Sequence, residues 1–211
     1  MAVFPRTAIL DTFDRADENP IAGNWTNNAL AEAADNQLKI VSNTLMAATA
    51  LTSCEAYWNA STYKGYIEAY FTVVTKPGNT QRIELGFLQN VGLTSYQGYQ
   101  CLFVDNAGTD TFTIKRVDQT ATATVLSSIN LEYNVGDILG ISLTPAGKIT
   151  MWRNDTPVAT AVDARYSGDF YLYVGISDTV GAVDNFGGGT ISKSFLVNNL
   201  RPKIFTPGRA R

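Results

Sequence analysis

Glu68 and Glu84 are the carboxylates best placed for chemistry. Each lies on the polar side of a run that alternates apolar and polar residues, Tyr66 to Val73 and Arg82 to Phe87, and positions i and i+2 of a strand share a face. Glu68 is thereby grouped with Tyr66 and Tyr70, and Glu84 with Arg82. Pairing of the two runs about Lys76-Pro77-Gly78-Asn79 would make the carboxylates cross-strand neighbours. Two carboxyl groups about 5 Å apart are what a retaining glycosidase requires. Arg82, however, is close enough to neutralise one of them, which favours a salt-bridged surface over an acid–base pair. The chain has no histidine, which excludes a Ser-His-Asp or Cys-His centre, His-ligated zinc or haem, and a histidine general base.

A second chemistry open to these residues is sugar recognition, which needs aromatic faces for the apolar side of a ring and planar polar groups for its hydroxyls. Tyr66, Glu68, Tyr70, Arg82, Glu84, Tyr99 and Trp152 are the candidates, with Trp58, Tyr96, Gln100, Tyr171 and Tyr173 as further contributors. The alternative use of these aromatics is packing or a protein interface, where tyrosine is enriched. Alternation in Phe170 to Ile176 sets Tyr171 and Tyr173 opposite Phe170, Leu172, Val174 and Ile176, on the face away from the core. Cys54 and Cys101 lack a CxxC spacing and read as buried thiols, with their pairing left open by the sequence.

The elements that must position these residues are short strands. Gly98 to Asp105 turns at Asp105-Asn106-Ala107-Gly108 into Thr111 to Val117. Ile138 to Leu143, Lys148 to Arg153 and Val158 to Val162 follow, separated by Pro145-Ala146-Gly147 and Asn154-Asp155-Thr156-Pro157. Phe170 to Ile176 comes next, and Gly187-Gly188-Gly189 reads as a turn before a last strand at about Thr190 to Val197. No segment carries a sustained helical period. The pattern predicts an all-β sandwich or barrel, one domain over residues 1–197.

Charge divides the chain. Residues 198–211 hold Arg201, Lys203, Arg209 and Arg211 and no acid, leaving 12 basic and 19 acidic side chains on residues 1–197, a formal −7. Such a body repels nucleic acid, so no nucleic-acid partner is expected. The basic segment, with Pro202 and Pro207, reads as an extended C-terminal arm. The residues after Met1 show no signal-peptide pattern, and no apolar run is long enough to span a membrane.

The order of motifs resembles a known family. Asp11-Thr12-Phe13-Asp14-Arg15-Ala16-Asp17 followed by Ile21-Ala22-Gly23-Asn24-Trp25 is similar to the opening of concanavalin A-like lectin/glucanase domains, also called laminin-G-like jelly rolls. Gly98-Tyr99-Gln100, Ile149 to Asp155, Gly168 to Ile176 and Val183-Asp184-Asn185-Phe186 fall where that family has its later signatures, over roughly residues 8 to 192. One departure is Asp155, where many relatives have glycine. The resemblance implies a two-sheet antiparallel jelly-roll sandwich whose first and last strands lie side by side, bringing Asp11 near Asp184. It implies a structural Ca2+ held by Asp11 and Asp184, with Asp14 and Asp17 able to add oxygens. The glucanase branch works with Glu-x-Asp-x-Glu on one strand, and this chain has no such run, so the expectation is a protein that is not an enzyme.

Jelly rolls of this kind without catalytic residues, without an export signal and with a basic arm resemble bacteriophage virion proteins. The reading favoured from sequence is therefore a capsid decoration or tail-associated protein, made in the host cytoplasm and displayed on the virion surface as a homo-oligomer. Arg201, Pro202, Lys203, Ile204, Phe205 and Arg209 would anchor it to other virion proteins, and the body would touch cell-surface glycan. The alternative is a stand-alone carbohydrate-binding module or, less favoured, a glucanase-like glycoside hydrolase.

Overall fold

Period-two alternation carries through to the structure. The computed structural model describes residues 4–27, 37–50, 54–91, 96–118 and 122–192. These form the strands β1 (Ile9–Asp11), β2 (Trp25–Asn27), β3 (Leu38–Val41), β4 (Thr44–Ala47), β5 (Cys54–Trp58), β6 (Ile67–Thr75), β7 (Arg82–Gln89), β8 (Gln97–Val104), β9 (Thr111–Asp118), β10 (Thr122–Asn130), β11 (Ile138–Leu143), β12 (Lys148–Arg153), β13 (Thr156–Val162), β14 (Tyr171–Ile176) and β15 (Ala182–Thr190), with no helix among the described residues.

Two antiparallel sheets result. The eight-stranded sheet runs β13-β12-β11-β6-β15-β4-β3, with β1 also paired to β15, and the seven-stranded sheet runs β10-β9-β8-β7-β14-β5-β2. Their inner faces meet in one apolar layer that includes Phe71, Leu139, Ile141 and Met151 from the first sheet and Leu85, Cys101, Phe103 and Leu172 from the second. The expected two-sheet jelly roll is present, and its first and last described strands pair, Asp11 lying opposite Phe186. Cys54 and Cys101 are buried free thiols.

Three expectations need correction. The runs bearing Glu68 and Glu84 do not form a hairpin: β6 pairs with β11 and β15, whereas β7 pairs with β8 and β14. The link between them is an inter-sheet corner. Lys76 is held there by Asp105 and Asp110, each at 2.8 Å, and by Glu132 at 3.0 Å, and the Gly78 N–H donates to Asp178 at 2.6 Å. Gly187, Gly188 and Gly189 are not a turn but part of β15, where the missing side chains let Tyr70 and Leu172 pack against the strand. Between Val117 and Ile138, where the sequence pattern predicts no strand, lies β10, an edge strand with a register shift at Val125/Ser127. Residues 193–197 and the arm, including Arg201, Pro202, Lys203, Ile204, Phe205 and Arg209, lie outside the described residues.

Candidate functional site

The outward side chains of the seven-stranded sheet form cross-strand rows. One row runs Lys115, Gln100, Gly86, Tyr173, Tyr57 across β9, β8, β7, β14 and β5. The next runs Thr113, Leu102, Glu84, Gly175, Glu55 across the same strands. Gly86 and Gly175 are the floor of this patch. Tyr173 leans over Gly86, its Cδ1 only 2.9 Å from where a Cβ would sit, so any larger residue there would displace the ring.

Glu55 and Glu84 flank Gly175 from the two strands beside β14, and both face the Tyr173 hydroxyl. That hydroxyl donates to Glu84 Oε2 at 3.3 Å, and Arg82 Nε donates to the other oxygen of the same carboxylate. Burial, then the charges of Glu55 and Glu84, hold the Tyr173 hydroxyl well above the usual tyrosine range. It therefore acts as a neutral donor between two acids. Around this buried cluster lie half-buried tyrosines. Tyr57 and Tyr171 meet edge to face with centroids 5.0 Å apart, and Tyr96 packs with Leu88 and Tyr173. The Gln100 carboxamide, in a side chain only 8% exposed, has no hydrogen-bond partner among the described residues.

The seven residues expected to bind sugar do not share one surface. Glu84 and Arg82 belong to the patch just described. Glu68, Tyr70 and Trp152 lie on the opposite side of the molecule, on the outer face of the eight-stranded sheet, and Tyr66 is exposed one residue before β6. Tyr99 points into the core, where its hydroxyl donates to the Asp163 carbonyl at 2.7 Å, and Trp58 is also in the core. The sequence reading missed Glu55 and Tyr57 because Cys54 to Trp58 was not read as a strand. Its signal was present: Cys54, Ala56 and Trp58 alternate with Glu55 and Tyr57.

Glu68, Tyr70 and Trp152 are covered by the chain itself. Gly140 lies in register between Tyr70 and Trp152, and Phe4 drops into the slot it leaves. The Phe4 ring stacks on Trp152 at 5.1 Å with planes 2° apart and meets Tyr70 edge-on at 6.0 Å. Glu68 accepts hydrogen bonds from Arg6 Nε at 2.8 Å, from the Thr7 N–H at 2.7 Å and from the Thr7 hydroxyl at 2.9 Å. Burial and then the charge of Glu68 push the Tyr70 hydroxyl up to about 12. It donates to the Thr7 carbonyl at 2.9 Å. These three residues are thus the seat of an N-terminal strap rather than an open sugar platform.

Asp11 on β1 lies opposite Phe186, two residues from Asp184 on β15, and the partners of these carboxylates do not suit calcium. Asp11 Oδ1 accepts from the Phe13 N–H at 2.8 Å and from Arg15 at 2.7 Å, while its Oδ2 accepts from the Trp25 indole at 2.8 Å. Asp184 accepts from the Asn185 N–H at 2.6 Å. Asp11, saturated by N–H donors and paired with a guanidinium, has little left for a hard cation. No group of three or more potential ligands gathers among the described residues. Asp11 is a clamp for the Phe13–Arg15 turn and for Trp25.

No known family profile and no curated protein sequence matches this chain. Solved structures do match it. The carbohydrate binding module CBM66 from Bacillus subtilis is 17% identical with a TM-score of 0.52, covering 79% of this chain and 96% of that one. The VIP36 exoplasmic/lumenal domain, in a Ca2+/Man3GlcNAc-bound form, is 9% identical with a TM-score of 0.60 over 91% of each chain. The Bacillus licheniformis β-glucanase is 13% identical with a TM-score of 0.57, over 85% of this chain and 96% of that one. At such identities the shared feature is the fold, a jelly roll of the lectin and glucanase type.

Proposed function

We propose that this chain is a non-catalytic carbohydrate-binding domain that takes neutral glycans on the outer face of its seven-stranded sheet. The observation that carries the reading is the pair of half-buried rings, Tyr57 and Tyr171, set beside buried Glu55, Tyr173 and Glu84 and the half-buried Arg82. Tyrosine faces suit the apolar side of a sugar, and carboxylates with a free carboxamide at Gln100 suit its hydroxyls. Glu55 and Glu84 stand against Arg82 and, at the far end of the row, Lys115, so the patch carries no net charge to draw an acidic glycan and suits a neutral one. Catalysis is disfavoured because the Tyr173 hydroxyl occupies the space a scissile bond would need between the carboxylates, and because one of them is tied to Arg82.

The carbohydrate-binding neighbours support this alternative over assembly on a virion, the reading favoured from sequence. That assembly role rests on residues 198–211, and removing them tests it by loss of incorporation into particles. The binding reading is tested by titrating a panel of neutral β-glucans, mannans and fructans into the protein and into a Tyr57→Ala/Tyr171→Ala variant. Saturable binding by the parent, lost by roughly tenfold or more in the variant, is the expected result. Release of new reducing ends that stops in Glu84→Gln would instead identify an enzyme.

A further inference from the structure

At one end of the sandwich the inward-facing rows turn polar on three neighbouring strands at once. On β9 the inward positions change from Phe112 and Ile114 to Arg116 and Asp118, on β7 from Phe87 to Gln89, and on β8 from Tyr99 to Gln97. Gln89 and Gln97 are opposite each other in register, as are Tyr99 and Arg116. Charged and amide side chains cannot be closed over by an apolar core, so the two sheets leave an open mouth there. It is a cleft of about 530 Å3 lined by Gln89, Gln97, Asp118, Arg165, Tyr166 and Ser167, within the size range of ligand pockets.

The wall facing the strands is held in place before any ligand arrives. Gln89 Nε2 donates to the carbonyls of Ser167 at 2.7 Å and Asp169 at 3.1 Å, and the Tyr166 N–H donates to the Tyr99 hydroxyl at 3.1 Å. Behind the cleft, Arg116 bridges Asp163 at 2.7 Å and Asp118 at 2.9 Å. Asp118 also accepts from the Tyr166 hydroxyl and from Arg165 Nε, the latter at 3.0 Å. The Tyr166 hydroxyl above all keeps Asp118 below the ordinary carboxylate range, and Arg116 and Arg165 add to it against the opposing effect of desolvation.

The acids are therefore spent inside the network, and the charge presented to solvent is a cation: the Arg165 side chain is 59% exposed, against 22% for Asp118 and 10% for Asp163. The Gln97 carboxamide and the Ser167 hydroxyl make no side-chain hydrogen bond among the described residues. A guanidinium that spends only its Nε on Asp118 and is otherwise exposed, beside the amide of Gln97 and the hydroxyl of Ser167, is an arrangement for a carboxylate. The Tyr166 ring, with the Arg165 guanidinium over it at 5.9 Å, adds an apolar surface that a bare inorganic anion would not use.

We propose that this mouth is a second ligand site, distinct from the tyrosine patch, and that it takes a carboxylate-bearing sugar of the hexuronic acid class. Arg165 pairs with the carboxylate, Gln97 and Ser167 bind ring hydroxyls, and Tyr166 packs under the ring. The site does not depend on the tyrosine patch, which is built from other strand positions.

Calorimetric titration with a uronic acid disaccharide and with its neutral counterpart tests the proposal on the full chain. The expected result is saturable binding of the uronate that falls roughly tenfold or more for the neutral disaccharide, for Arg165→Ala and for Gln97→Ala, and that weakens with salt. Tyr57→Ala/Tyr171→Ala should leave it unchanged. Arg165 is exposed, so its variant is expected to melt with the parent. No saturable uronate binding by the parent, equal binding of the two disaccharides, or binding that survives Arg165→Ala but is lost in Tyr57→Ala/Tyr171→Ala would overturn the assignment.

Discussion

The carboxylate of Glu68 is fully buried and held by the backbone and side-chain donors of Arg6 and Thr7. Substituting alanine would strand the Arg6 guanidinium, and removing one partner of a buried ion pair costs about 3–5 kcal/mol. The opposite case is Tyr133, fully buried with a hydroxyl that has no hydrogen-bond partner among the described residues. A buried unsatisfied donor costs about 1–3 kcal/mol, so Tyr133→Phe is expected to leave the melting temperature unchanged or raise it. A clear drop would mean that the hydroxyl has a partner. At this scale the sequence was legible in types but not in neighbours. It picked Glu84 and Arg82 and placed Tyr171 and Tyr173 on the outer face. It could not show that Glu68 would be met by residues 61 and 62 positions earlier. Nor could a motif position tell that Asp11 would be saturated by an indole, an arginine and a backbone N–H.

Among the elements, the strap of residues 4–7 has no regular structure and gave no periodic signal, yet it seals the outer face of the eight-stranded sheet. Its seat depends on Gly140, since a Cβ there would collide with the Phe4 ring and with the Ala69 carbonyl. Gly140→Ala is therefore expected to destabilise by about 1–3 kcal/mol, the usual range for overpacking. It should also lift Phe4 from Trp152, read as a red shift of tryptophan emission. An unshifted spectrum would place Phe4 elsewhere. Strands with clean alternation were legible to within two residues, Ile138–Leu143 and Lys148–Arg153 among them. The partnership of β6 and β7 was not, because a Pro-Gly link serves a hairpin and an inter-sheet corner alike, and the choice was made by Lys76 and Asp178 finding distant partners.

Across the whole molecule the absence of histidine has a thermodynamic consequence. No side chain type present ordinarily titrates between about pH 5 and 8. The groups that do link pH to stability are acids. Burial alone would raise Asp110, Asp137 and Asp163, but hydrogen bonds and cations outweigh it: Lys76 for Asp110, Asn154 and Arg153 for Asp137, the Arg165 N–H and Arg116 for Asp163. All three are held below the ordinary value of 3.8. A depressed folded value stabilises above the unfolded one and is lost as pH falls through it. The melting temperature should thus be flat from about pH 5 to 8 and fall below about pH 4. A slope within the flat range would contradict the assignment of those carboxylates.

The two-sheet architecture was legible from alternation, turn residues and motif order together, because burial on one face leaves that imprint on every strand. Which face carries the candidate site was not legible, since outward residues of both sheets read alike until the sheets are assembled. The central claim is that neutral glycan lies on the tyrosine patch of the seven-stranded sheet. The most direct measurement is amide chemical-shift mapping of isotopically labelled protein during titration with a neutral oligosaccharide that binds. Shifts are expected at Glu55, Tyr57, Glu84, Gln100, Tyr171 and Tyr173, with Tyr70, Gly140 and Trp152 unmoved. Shifts confined to the strap and its seat, or absent from the tyrosine patch at saturation, would contradict that claim.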